Sequence, residues 1–164
     1  MKVIFYLISL IPKPFIIFFV DLYIYSKLCK FTKSYKITKV NLEIAYKDLN
    51  KEDLETLTKL SIRESLIAVY ETFYTWGAAH EYSNSMIFKI KNNFLFKNKL
   101  NNNYGLIAVS IHNRSVDMLL KWINSQVPTT SLYKKVKIGF LDNFIKNDRQ
   151  HNGAKCFETS LKGV

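Results

Sequence analysis

The chain has 164 residues, enough for a domain with a real core, and its apolar fraction of 48% rules out an intrinsically disordered chain. Lys and Arg number 24 against 13 Asp and Glu, a net charge of +11, which implies an anionic partner: nucleic acid, anionic lipid or a phosphorylated substrate. Its two cysteines, Cys29 and Cys156, have no CxxC spacing and no His at metal-ligand spacing, which argues against a disulfide scaffold or a zinc site and fits a reducing compartment.

Val3 to Tyr25 is almost wholly apolar or aromatic, broken by Pro12-Lys13-Pro14. A single spanning helix needs about 20 uninterrupted apolar residues. The segment therefore predicts two short pieces, Val3–Ile11 and Phe15–Tyr25, as a kinked span or an interfacial hairpin. No small-x-small cleavage site precedes the prolines, which favours an anchor over a secretory signal. Lys27, Lys30, Lys33, Lys36 and Lys39 follow with no acidic residue between them. Placed directly after an apolar segment, such lysines suit anionic headgroups and set the rest of the chain on the cytoplasmic side. A solvated helix face is the plain alternative.

Asn50 before Lys51-Glu52-Asp53 predicts a capped helix start. Leu54, Leu57, Leu60, Ile62, Leu66 and Val69 continue the helical period to about Trp76, where Gly77 stops it. Met86–Ile90 alternates like a strand, and Leu95–Leu100 reads as a short helix before the Asn101-Asn102-Asn103 turn. Tyr104 to Ile111 is a continuous apolar run, the pattern of a buried strand. His112-Asn113-Arg114-Ser115 breaks it. Val116 to Ile123 then predicts a helix whose apolar face carries Met118, Leu119, Leu120 and Trp122. Thr129–Val136 reads as extended, Phe140–Arg149 as a helix, Ala154–Glu158 as a strand, and Thr159-Ser160 as the start of another helix.

His112 thus falls at the C-terminal end of a predicted strand, the edge at which open α/β sheets bind ligands. His112-x4-Asp117 has the chemistry that acyl transfer to a hydroxyl requires. Neutral imidazole removes the hydroxyl proton, and a carboxylate on its other nitrogen fixes the tautomer. Arg114 and the helix N-terminus add positive potential for an oxyanion or phosphate. Alone the spacing is unspecific, and a structural His at a strand end is the competing reading. His80 and His151 lack this context and read as surface residues.

From about Val40 to Val164 the chain resembles the bacterial lipid A biosynthesis (lauroyl/myristoyl) acyltransferases of the lysophospholipid acyltransferase superfamily. The matching elements come in order. They are an apolar N-terminus, Lys39-Val40-Asn41-Leu42, the Tyr70-Glu71-Thr72 helix ending at Trp76, and Gly105 to His112 with Asp117. Tyr133-Lys134, Leu141-Asp142, Arg149, Gly153, Thr159 and Lys162-Gly163 complete the series. The sequence departs from the family at Ile138-Gly139, where Asn-Pro is common, and at Asn113-Arg114-Ser115, in place of the commoner Gly-Asn-Trp type.

The resemblance implies an α/β fold. An N-terminal membrane-anchoring helix (1–30) would precede a helix-flanked, partial mixed or parallel sheet of the glycerolipid-acyltransferase type (31–164). Family members extend further, so that second part is expected to be incomplete at its C-terminal end. The implied reaction moves a fatty acyl chain from an acyl carrier protein thioester to a hydroxyl of a lipid A precursor, on the cytoplasmic side of the bacterial inner membrane. His112 and Asp117 would be catalytic, and Arg149, Arg114, Asn113 and Tyr133 would bind substrate. Anionic membrane lipids are the further expected partner; no metal, cofactor or nucleic acid is implied. Two other readings stay open at this point. One is a glycerolipid acyltransferase, a group that favours Ser where Arg114 stands. The other is an inactive membrane-associated remnant.

Overall fold

The computed structural model describes residues 2–85, 87, 89–95, 105–110 and 116–159, with only the backbone of His80 and Glu81. The chain divides into two compact units, Met1–Gly77 and Ala78–Val164. The described residues are mostly helical, with a small parallel sheet among them.

In the first unit, helix α1 (Lys2–Ser9) and helix α2 (Lys13–Tyr25) meet at a break and are bent by 87°. The cause is local. Pro12 is the N-cap of α2 and Pro14 lies in its first turn, where a missing N–H costs nothing; neither fits the interior of a continuous helix. The single anchoring helix expected from the resemblance is therefore two helices. Among the described residues no single helix is long and apolar enough to cross a membrane. Lys27, with φ of +62°, turns the chain out of α2 into a short 3-10 turn, Leu28–Phe31. Thr32 then caps helix α3 (Lys33–Ala45) by accepting from the Tyr35 amide at 3.2 Å.

Helix α4 (Lys51–Gly77) runs 27 residues between the predicted signals. The Asn50 side-chain oxygen accepts from the Asp53 amide at 2.9 Å, and its amide group donates to the Asp53 carboxylate at 2.7 Å. The buried stripe is Leu54, Thr58, Ile62, Ile67, Tyr70, Tyr74 and Thr75. Leu60 and Val69, expected on the buried face, are each half exposed. Helices α1, α2 and α3 all pack against α4. Cys29, Tyr35 and Ile62 form a core cluster with Tyr23 and Ile24 against it.

The second unit begins with the short helix α5 (His80–Ser85). Ile87, Lys89 and Ile90 have no regular structure, so the expected strand there is not formed at the described positions; Met86 and Phe88 lie outside them. Most of the predicted 95–100 helix also lies outside. Residues 105–110 are neither strand nor buried, with Ile107 and Val109 each 92% exposed. The buried strand expected at Tyr104–Ile111 is thus corrected over its described part. An apolar run becomes a buried strand only when neighbouring strands take its backbone groups, and none of the described strands pairs with it.

Helix α6 (Val116–Gln126), strand β1 (Thr130–Tyr133), helix α7 (Gly139–Arg149) and strand β2 (Lys155–Glu158) follow close to the predicted boundaries. The strands pair in parallel, Thr130 with Lys155 through Tyr133 with Glu158, so β1–α7–β2 is a βαβ unit. Of the expected α/β architecture, the described residues show this two-stranded parallel sheet with its flanking helices.

Candidate active site

Helix α6 presents Asp117, Lys121 and Asn124 on one face, at i, i+4 and i+7. All three are buried, at 8%, 4% and 5% exposure, whereas Leu119 is exposed and Met118, Leu120 and Trp122 are half-buried. The expected apolar face is therefore not the innermost one. Each buried polar group is matched by a partner. Arg149 Nε donates to Asp117 Oδ1 at 2.7 Å. The Lys121 ammonium lies 3.3 Å from Asp148 Oδ1 and donates to the Ala78 carbonyl at 3.4 Å. Asn124 donates to the Arg149 carbonyl at 3.0 Å and accepts from the Thr129 hydroxyl at 2.6 Å.

Helix ends favour the first of these pairs. Asp117 stands in the first turn of α6, where an anion is stabilised, and Arg149 in the last turn of α7, where a cation is stabilised. Burial pushes the Asp148 carboxyl above the usual carboxylate range, although the Lys121 charge acts in the other direction. Two acids and two bases thus balance between adjacent turns of α6 and α7.

Tyr133, at the end of β1, is buried, and its hydroxyl lies 3.4 Å from both Asp142 Oδ2 and Glu158 Oε1. Burial, with the two carboxylates beside it, raises the phenol above its ordinary value. Asp142 accepts from the Val136 amide at 2.8 Å, which ties the loop after β1 to the first turn of α7. Tyr133 therefore joins β1, α7 and β2 through its hydroxyl.

Of the residues singled out in the sequence, Asp117 and Arg149 are brought into direct contact, and Tyr133 lies on the neighbouring strand. His112, Asn113 and Arg114 lie outside the described residues. His151 is exposed. Glu71, part of the resemblance, belongs to the first unit and accepts from Lys13 at 2.7 Å. An open hollow lined by Asp21, Ile24, Tyr25, Ser26, Lys27 and Lys59 also lies in the first unit and holds none of the candidate residues. The sequence reading missed Lys121, Asn124 and Asp148. The available signal was a polar residue recurring every helical turn after Asp117.

The second unit thus holds a helix-flanked βαβ unit with a buried carboxylate, Asp117, fixed in the first turn of α6. The family model for the bacterial lipid A biosynthesis acyltransferases matches residues 2–161. The chain belongs to that family of acyltransferases. No curated protein matches it.

Proposed function

We propose that the chain transfers a fatty acyl group from an acyl carrier protein thioester to a hydroxyl of a lipid A precursor. The observation that carries the mechanism is the Asp117–Arg149 contact, which holds a buried carboxylate five positions after His112. His112 is the general base and Asp117 orients it. The imidazole takes the acceptor hydroxyl proton as that oxygen attacks the thioester carbonyl. The tetrahedral intermediate then collapses, the C–S bond breaks, and the imidazolium returns the proton to the departing thiolate. Arg149 acts first on Asp117, holding its carboxylate in place through the 2.7 Å contact; its terminal nitrogens are the part that an anionic substrate group would take. Asn113 and Arg114, next to the base in the sequence, suit the oxyanion or a substrate phosphate, and Tyr133 is a further substrate-binding residue.

Residues 1–30 serve as a membrane anchor for an acyltransferase domain in 31–164, on the cytoplasmic face of the bacterial inner membrane. Two observations support this. Residues of α1 and α2 expose large apolar side chains, and Lys27, Lys33, Lys36 and Lys39, which follow in the sequence, are exposed, while Lys30 is paired with Glu55 at 2.6 Å.

An acceptor competition tests the substrate class. Radiolabelled acyl carrier protein thioester is offered to membranes containing the chain together with lipid A precursor or with lysophosphatidate. Label appearing in the precursor supports the reading. Label appearing only in phosphatidate would move the chain to glycerolipid synthesis, and no transfer to either acceptor would favour the inactive remnant.

A further inference from the structure

The first unit fixes how its apolar helices can meet a bilayer. Helices α1 and α2 both lie along α4. Phe5 of α1 packs its ring 5.5 Å from Phe73 and 5.4 Å from Trp76, and the α1 backbone at Phe5 and Tyr6 is so close to Gly77 that no Cβ fits there. At the bend, the Tyr70 hydroxyl donates to the Ile11 carbonyl at 2.6 Å, and Lys13 pairs with Glu71. Further along α2, Arg63 pairs with Asp21 through two nitrogens. The α4 partners of these contacts thus run from Arg63 to Gly77, along one continuous helix.

That helix cannot enter hydrocarbon. It carries Lys51, Glu52, Asp53, Glu55, Lys59, Arg63, Glu64 and Glu71, and each charge placed at the bilayer centre costs at least about 2.5 kcal/mol. The opposite side of the helix pair is apolar: Ile4, Leu7, Phe15, Phe18, Phe19 and Leu22 are each more than half exposed. At 1.5 Å per residue, α1 is about 12 Å long and α2 about 20 Å, each short of the roughly 30 Å hydrocarbon layer. Straightening the pair into one span would place Pro12 and Lys13 near mid-membrane and break the Lys13–Glu71 and Tyr70–Ile11 contacts.

We infer that α1 and α2 form a re-entrant anchor that lies in one leaflet of a phospholipid bilayer, held down on α4, with residue 2 on the same side of the membrane as α3 and α4. This rests on the membrane reading above and adds its topology. The exposed lysines of α3, which follows the pair closely in the chain, would meet anionic headgroups of that leaflet.

Single-cysteine mapping on the full chain tests it. Lys2→Cys and Lys47→Cys are both at exposed positions, and the native Cys29 and Cys156 are buried, so the parent protein supplies the background. A membrane-impermeant maleimide is applied to intact spheroplasts and to inside-out inner-membrane vesicles. Both cysteines are expected to label only in the inverted vesicles, with the protein in the membrane pellet. Labelling of Lys2→Cys in spheroplasts, with Lys47→Cys reached only in inverted vesicles, would establish a spanning segment and overturn the inference while leaving membrane attachment intact. Recovery of the protein in the soluble fraction would overturn the membrane reading itself.

Discussion

Replacing Arg149 by Met removes the guanidinium and keeps most of the side-chain volume. Its partner Asp117 is 8% exposed and would be left buried without the cation that neutralises it. Breaking one side of a buried ion pair costs about 3–5 kcal/mol. The Arg149 side chain retains 22% of its exposure, so water screens part of the interaction and the expected loss falls to about 2–3 kcal/mol. For a unit the size of Ala78–Val164, each kcal/mol moves the melting midpoint by about 4–8 °C, so the variant should melt about 8–24 °C lower. Denaturant unfolding of the detergent-solubilised wild type, Asp117→Asn, Arg149→Met and the double variant gives a thermodynamic cycle. Because the residues touch, a coupling of about 1–3 kcal/mol is expected. A coupling below about 0.5 kcal/mol would mean that Asp117 and Arg149 are held independently, and the account of how the carboxylate is fixed would fail.

Asn124→Ala strips one donor and one acceptor from a buried junction of α6, Arg149 and Thr129; the expected cost is about 2 kcal/mol, read from the same unfolding curves. Gly77→Ala places a methyl group against the Phe5 carbonyl and the Tyr6 amide, so α1 must shift off α4. A loss of about 1–3 kcal/mol and faster proteolysis within residues 1–12 are expected, and an unchanged digestion pattern would contradict that packing. Lys30 and Lys59 hold the Glu55 carboxyl down to about 2 from its ordinary 4.5. Because the folded value is depressed, the contribution is fully present above pH 4.5 and disappears as pH falls through about 2. An acid titration followed by circular dichroism should show Glu55→Gln losing that part of the acid sensitivity, and identical titrations would refute it.

The helix boundaries were legible where the sequence punctuates itself. Pro12 and Pro14 break the apolar segment, Asn50 opens α4, and Gly77 closes it. The βαβ unit from Thr130 to Glu158 was legible because its apolar periods change cleanly between strand and helix. The inward side of α4 was not. Apolar residues surround that helix because three others pack on it, so Leu60 and Val69 fit the helical period as well as Ile67 does, and only the packing separates them. Residues 105–110 misled for a related reason. An apolar run states that burial is affordable, while burial itself depends on partners that the run does not encode. The Asp117–Arg149 contact lay beyond local pattern, because 32 residues separate its members. The His112-x4-Asp117 spacing made Asp117 a candidate, and only the ordered likeness to a family added Arg149.

The most direct measurement is single-turnover acyl transfer from labelled acyl carrier protein thioester to lipid A precursor, comparing the wild-type chain with His112→Ala in the same membranes. Removal of a general base should slow transfer by about 10²–10⁴-fold, with equal amounts of protein in the membrane. Transfer that persists at the wild-type rate in His112→Ala would contradict the assignment of His112 as the base.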